Sequence, residues 1–91
     1  MVRTQTQIES DALIARHIGR HLTNAGLDEY WLMEPGIPVW AIIGSLKANR
    51  HDTDTVAALY GISRAAVKAA WAFYLRHRAV IDNRIAQNDA A

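Results

Sequence analysis

The chain has 91 residues, of which about half are apolar, no cysteine and a formal net charge of +1. That length fits one core, so we expect a single domain over residues 1–91, with an N-terminal helix and extension (1–29) and a helical core (30–90). The polar start and the lack of a long apolar run match neither a signal peptide nor a transmembrane helix. We therefore expect a cytoplasmic protein with no membrane partner.

The first predicted helix follows a start, residues 1–9, that we expect to fray. Ser10 or Asp11 is a suitable cap, and the helix should run to about Asn24. Gly26 suits a left-handed stop. The apolar stripe has spacings of four, four and three residues and comprises Ile14, Ile18, Leu22 and Ala25.

A connection over residues 27–37 separates the first helix from the second. It has room for one short extended piece, Tyr30–Met33, and Pro35 with Gly36 indicates a type II turn over Glu34–Ile37. Pro38 suits the first turn of a second helix, which should end near Ala48, and Gly44 within it would permit close helix approach.

Two further helices are predicted from the cap residues. Asp52 or Asp54 should cap a short helix over Thr55–Tyr60, and Ser63 should cap the longest helix, from Arg64 to about Gln87. A seam along this last helix is interrupted only at Arg78 and comprises Val67, Trp71, Tyr74, Ile81 and Ile85. Strand content should be very small, and the predicted core comprises Trp40, Ile43, Leu46, Val56, Leu59, Ile62, Val67 and Trp71.

The run Ala69–Leu75 is apolar on nearly all sides. One small domain has difficulty covering such a helix, so this run predicts a homodimer. A second face of the same helix carries Ala66, Ala70, Phe73 and Val80.

One spacing predicts a helix-turn-helix unit. A small residue, Ala57, is followed by Gly61 four positions later, by Ser63 after two more and by Val67 after another four. The alanine permits a close crossing, the glycine a left-handed turn and the serine a cap, while the valine packs the second helix on the first. Ile62 fills the core from within the turn.

In such a unit the start of the second helix faces DNA, which makes Ser63, Arg64 and Lys68 the candidate DNA-binding residues. The segment from Arg64 to Arg84 has a net charge of +4 in an almost neutral chain, as a phosphate-facing surface would. The same charge also fits a solvated helix face, and the same helix could serve packing and dimerisation only.

Other chemistries find little support in the sequence. His17 and His21 have a spacing that can hold zinc on a helix, but no third ligand is apparent and Arg16 and Arg20 flank them. The chain contains no nucleophile elbow, phosphate loop or dinucleotide fingerprint. We expect no catalytic residues, no cofactor and no bound metal, and therefore a binding protein rather than an enzyme.

The segment from Trp31 to Asn88 resembles an uncharacterised bacterial family of short homeodomain-like proteins, many described as VapB-like antitoxins. The resemblance is carried by GIPVWAIIGSL (36–46), VAALYGIS (56–63) and AVKAAWAFYLRHRAVIDNRI (66–85). It is weaker upstream, where Met33–Ile37 replaces the family's Gly-Thr-Arg segment.

The resemblance implies a mostly α fold, a small helical bundle with a helix-turn-helix unit and a long C-terminal helix. It also implies a homodimer, operator DNA and a PIN-like nuclease toxin as partners, and hence an antitoxin that represses its own operon. The expected dimer or toxin interface comprises Trp71, Phe73, Tyr74, Arg78, Ile81 and Ile85. The alternative is a dimeric helix-turn-helix-shaped module that binds only protein.

Overall fold

The computed structural model describes residues 3–22 and 28–90, and this part of the chain is mostly helical. Its five helices are α1 (Gln5–His17), α2 (Val39–Ala48), α3 (Thr53–Tyr60), α4 (Arg64–Arg76) and α5 (Arg78–Ala90). Three strands, β1 (Ile18–Leu22), β2 (Asp28–Leu32) and β3 (Ile37–Pro38), form an antiparallel sheet in that order. The sheet is an addition to the predicted helical bundle.

The first helix begins and ends earlier than predicted. Thr4 caps it in a capping box, in which the Thr4 hydroxyl accepts from Gln7 N at 3.1 Å and the Gln7 side chain accepts from Thr4 N at 2.9 Å. The expectation of fraying up to residue 9 is therefore wrong for the described residues, and Ser10 and Asp11 lie inside the helix.

After His17 the chain continues as strand β1, so Ile18 and Leu22 are not part of a helical stripe. Ile18 pairs with Leu32, and Gly19 lies so close to Met33 that an added Cβ would stand 2.7 Å from its Sδ. Pairing with β2 thus overrides the helical pattern of this segment. The predicted roles of Ala25 and Gly26 fall outside the described residues.

The predicted extended piece is confirmed for Tyr30–Leu32, but β2 begins earlier, at Asp28, and Met33 lies in the turn that follows it. A tight turn follows, with Gly36 at φ +95° and its N–H donating to Leu32 O at 3.1 Å. The Glu34–Pro35 peptide bond is cis, and Gly36 has the positive φ that the sequence predicted for it.

Helices α2 and α3 follow the prediction closely. Pro38 precedes α2, which ends at Ala48, and the Asp52 carboxylate caps α3 by accepting from Thr55 N at 3.2 Å. This hydrogen bond also lowers the pKa of the Asp52 carboxyl group below its ordinary value.

The predicted long C-terminal helix is two helices, because His77 interrupts it with φ −137° and ψ 41°. The His77 ring stacks on the Phe73 ring, with 4.3 Å between their centroids. The backbone carbonyl of His77 accepts a hydrogen bond from Ile81 N, which is part of the first turn of α5. Ile81, one turn after the break, is 4% exposed and belongs to the core.

The core lies between α2, α3, α4 and β2, and its fully buried larger side chains are Leu32, Ile42, Ile43, Val39, Val56 and Val67. The prediction that Leu59 belongs to it is wrong, since this side chain is 64% exposed. Trp40, Ile62 and Trp71 pack on the core but are only partly buried. Trp40 and Trp71 lie on α2 and α4, and Ile62 lies in the turn between α3 and α4.

Most of the apolar belt Ala69–Leu75 is covered within one chain: Ala69, Ala70, Phe73 and Tyr74 are buried, while Leu75 at its end is 45% exposed. Helix α1 packs along α4, and the Tyr30 ring on β2 meets Phe73 at 4.6 Å between centroids. The inference that this belt needs a second copy of the chain is therefore wrong, because the early helix and the sheet supply the missing cover.

Candidate nucleic-acid interface

The segment from α3 to α4 has the local geometry that its residue spacing predicts. Gly61 adopts a left-handed conformation at φ +64°, and Ile62 N donates to Ala57 O at 3.0 Å across the end of α3. Ser63 caps α4 by accepting from Ala66 N at 3.1 Å. Ala57 and Val67 are buried between the two helices.

The first two turns of α4 are divided into a buried side and an exposed side. Ala66, Val67, Ala69 and Ala70 are buried, whereas Arg64, Ala65 and Lys68 are exposed. Ser63 is also exposed, and its hydroxyl can still donate a hydrogen bond while it accepts the capping one. All three candidate DNA-binding residues thus lie on one accessible surface, although Ser63 already has a structural role.

Arg64 has a partner within the chain. Its Nε lies 2.8 Å from Oδ1 of Asp54 on α3, and the two side chains are 65% and 71% exposed. Ion pairs with this exposure contribute only about 0–1 kcal/mol, so the guanidinium can exchange this partner for another anion at little cost.

Lys68 lies at a groove that the sequence did not indicate. The groove has a volume of about 370 Å³ and is lined by Leu46, His51, Thr53, Val67, Lys68 and Trp71. His51 comes from the turn between α2 and α3, which the sequence marked only as polar. Its neighbour Arg50 and His51 itself both adopt left-handed conformations, which residues other than glycine adopt uncommonly.

The residues expected at a dimer or toxin interface differ in their accessibility. Phe73, Tyr74 and Ile81 are buried in the core of one chain and leave almost no side-chain surface for a partner. Trp71 and Ile85 are partly buried, and Arg78 is exposed, with its guanidinium 5.8 Å from the Tyr74 ring centroid.

Polar contacts attach α5 to the rest of the molecule. The Asp82 carboxylate accepts from Lys47 Nζ and from the Tyr74 hydroxyl, each at 2.9 Å. The hydrogen bond from Lys47 lowers the pKa of Asp82, and the same contact raises the pKa of Lys47. Further along α5, Arg84 Nε donates to Glu29 at 2.6 Å.

A second groove, of about 320 Å³, lies between α5, β2 and α2, with Tyr30, Trp40, Val80 and Ile81 among its lining residues. The Arg84 guanidinium lies over the Trp40 ring at 4.6 Å. The buried Trp40 Nε1 finds no hydrogen-bond partner within the described part of the chain. Val80 at this groove is 61% exposed.

The structure separates the two histidines considered as a zinc pair. His17 is the last residue of α1, while His21 belongs to β1, so they are not one turn apart on a helix. Residues 3–22 and 28–90 contain no group of three or more His, Cys, Asp or Glu side chains that could hold a metal ion. Over the same residues, no helix has the length and apolar character needed to cross a membrane.

Comparisons with protein families, curated proteins and solved structures gave no match to this chain.

Proposed function

We propose that this protein binds DNA through a helix-turn-helix unit formed by α3 and α4, with α4 lying in the major groove. The observation that carries the proposal is the exposed side of α4, where Arg64 and Lys68 stand one turn apart at the start of a helix that is correctly capped and packed. An arginine there can donate two hydrogen bonds to guanine, and a lysine can contact guanine or phosphate.

The electrostatics of α4 support an anionic partner. Its first turn contains a cation, Arg64, and no acidic residue, although the positive end of a helix dipole favours acids. This arrangement is slightly unfavourable in the free protein. Phosphate groups at the same place would be attracted both by the helix end and by the basic side chains.

We further propose that the protein is the antitoxin of a type II toxin–antitoxin pair, which represses its own operon as a homodimer and binds a PIN-like nuclease toxin. This part rests on the resemblance of residues 31–88 to the antitoxin-like family. An operator with two half-sites would suit a two-fold dimer, since each copy presents one α4.

The test is a titration of the protein against the DNA upstream of its own gene, with a scrambled fragment of equal length as the reference. The wild-type protein should prefer the upstream fragment. Arg64→Ala should remove most of that preference, because a bidentate contact to guanine contributes about 1–3 kcal/mol of discrimination. Asp54→Asn should strengthen binding to both fragments, since it frees Arg64 and removes a negative charge.

A second candidate function is a dimeric module that binds only protein, favoured by the apolar groove beside the exposed Val80. The two functions differ in salt dependence, because phosphate contacts release counterions and make DNA affinity fall steeply with salt. If neither fragment binds at moderate salt, and adding the toxin does not change this, the DNA-binding proposal is wrong and the protein-binding function takes its place.

A further inference from the structure

The turn between α2 and α3 places basic side chains beside α4. Two consecutive non-glycine residues in this turn, Arg50 at φ +56° and His51 at φ +62°, are left-handed, a conformation that side chains with a Cβ adopt at a cost. Hydrogen bonds hold the turn in place: His51 N donates to Leu46 O at 2.7 Å, and Asn49 Nδ2 donates to Ser45 O at 2.8 Å.

This geometry directs His51 toward α4. The imidazole ring meets the Trp71 ring edge-on, with 5.0 Å between centroids and an angle of 81°. His51, Lys68 and Trp71 line the same groove, together with the hydroxyl-bearing Thr53. The groove therefore joins an ammonium group and hydrogen-bond donors to an apolar wall of Trp71, Leu46 and Val67.

The charge around this groove is suited to an anion. His51 and Lys68 line the groove, and Arg50, next to His51, and Arg64, one turn before Lys68, are exposed as well. Of the two nearby acids, Asp52 accepts from Thr55 N as the cap of α3, and Asp54 is paired with Arg64. If Arg64 leaves Asp54 to contact DNA, Lys68 and His51 still line the groove.

We propose that this groove holds one phosphate and its deoxyribose of the DNA strand that flanks the bases contacted by Arg64. Lys68 neutralises the phosphate, His51 and Thr53 donate hydrogen bonds to its oxygens, and the partly exposed Trp71 ring packs against the sugar. This inference rests on the proposed DNA binding. It adds that the α2–α3 turn fixes the position of α4 on the duplex.

The key variant is His51→Gly. Glycine adopts φ +62° freely, so this change should leave the melting temperature equal or higher, while the affinity for the upstream DNA falls several-fold. A residue with only a structural role would give the reverse result, a lower melting temperature with unchanged DNA affinity. That result would overturn the proposal.

Lys68→Gln tests the charge and should lower the slope of log affinity against log salt by about one unit. Arg16→Gln is the matched control, an exposed arginine with the same change in charge. Arg16 lies on α1 and is not among the residues that line the groove. Arg16→Gln should therefore leave the slope unchanged.

Neutral methylphosphonate groups placed one at a time along the upstream DNA would locate the phosphate. A methylphosphonate at one position should weaken binding of the wild-type protein. The same substitution should not weaken binding of Lys68→Gln any further, as expected when Lys68 and that phosphate are direct partners. If Arg64→Ala removes the DNA preference but Lys68→Gln and His51→Gly behave like Arg16→Gln, only this inference fails. If wild-type protein binds no DNA, the proposed function fails as well.

Discussion

At the scale of single residues, Gly44 and Gly61 show two different uses of glycine. Gly61 ends α3 at φ +64°, while Gly44 lies inside α2, and an added Cβ would meet nothing within 4 Å at either position among the described residues. The expected close helix approach at Gly44 is therefore not present. Any effect of replacing these glycines must come from the backbone and not from a steric clash.

We predict that Gly61→Ala and Gly44→Ala change stability in opposite directions. Gly61→Ala should lower the free energy of unfolding by about 1–2 kcal/mol, because alanine is strained in the left-handed region. Gly44→Ala should raise it by about 0.5–1 kcal/mol, because alanine loses less entropy in a helix. Urea denaturation of both variants checks this, and a destabilised Gly44→Ala would show that α2 needs its glycine for packing.

At the scale of elements, the sequence predicted the middle of the chain better than its ends. Helices α2, α3 and the start of α4 have strong local signals, namely Pro38, Asp52, Gly61 and Ser63, and their structure follows these signals. Strand β1 depends on pairing with β2, which no local pattern reveals. The break at His77 depends on ring contacts with Phe73 and Tyr30, although the seam interruption at Arg78 was a partial sign of it.

The sequence also predicted only part of the candidate site. Arg64 and Lys68 follow from the position of the Ser63 cap, because helix periodicity places them on the exposed side. The contribution of His51 could not be foreseen, since two consecutive left-handed residues without glycine have no sequence signature. Only the folded α2–α3 turn brings His51 next to Trp71.

Helix α5 depends on contacts that titrate. Asp82 has a lowered pKa, so its contribution to stability is fully present above the ordinary aspartate pKa and disappears as the pH falls through the folded-state value. Lys47 has a raised pKa, so its contribution is present below the ordinary lysine value and is lost only as the pH rises through the folded-state value. The contact between them is therefore intact at neutral pH.

We predict that Asp82→Asn lowers stability at pH 7 and removes part of the acid sensitivity of the protein. Asparagine can still accept from the Tyr74 hydroxyl, but it no longer attracts Lys47. We expect the free energy of unfolding, measured by urea denaturation, to fall less between pH 7 and pH 3 in Asp82→Asn than in the wild type. Asp89→Asn, which removes an exposed carboxylate from the same helix, is the control and should behave like the wild type.

At the scale of the whole molecule, support for a homodimer comes from α5 rather than from the belt on α4. Most of the belt is buried within one chain, whereas Val80 is 61% exposed at the groove that Tyr30 and Trp40 help to form. Because the protruding Val80 and the apolar groove lie on the same face, this face of one copy can fit against the same face of a second copy. A two-fold axis would place Val80 of each copy at the groove of the other.

We predict that the protein sediments at about twice its mass of 10.1 kDa at micromolar concentration, and that Val80→Asp makes it a monomer. The matched control is Leu59→Asp on α3, because Leu59 has a similar exposure of 64% and neither change disturbs the core. Leu59→Asp should leave the dimer intact, and circular dichroism should show that both variants fold. A wild-type monomer whose melting temperature does not change on dilution would rule out the dimer. If Val80→Asp sediments like Leu59→Asp, the dimer forms through another surface.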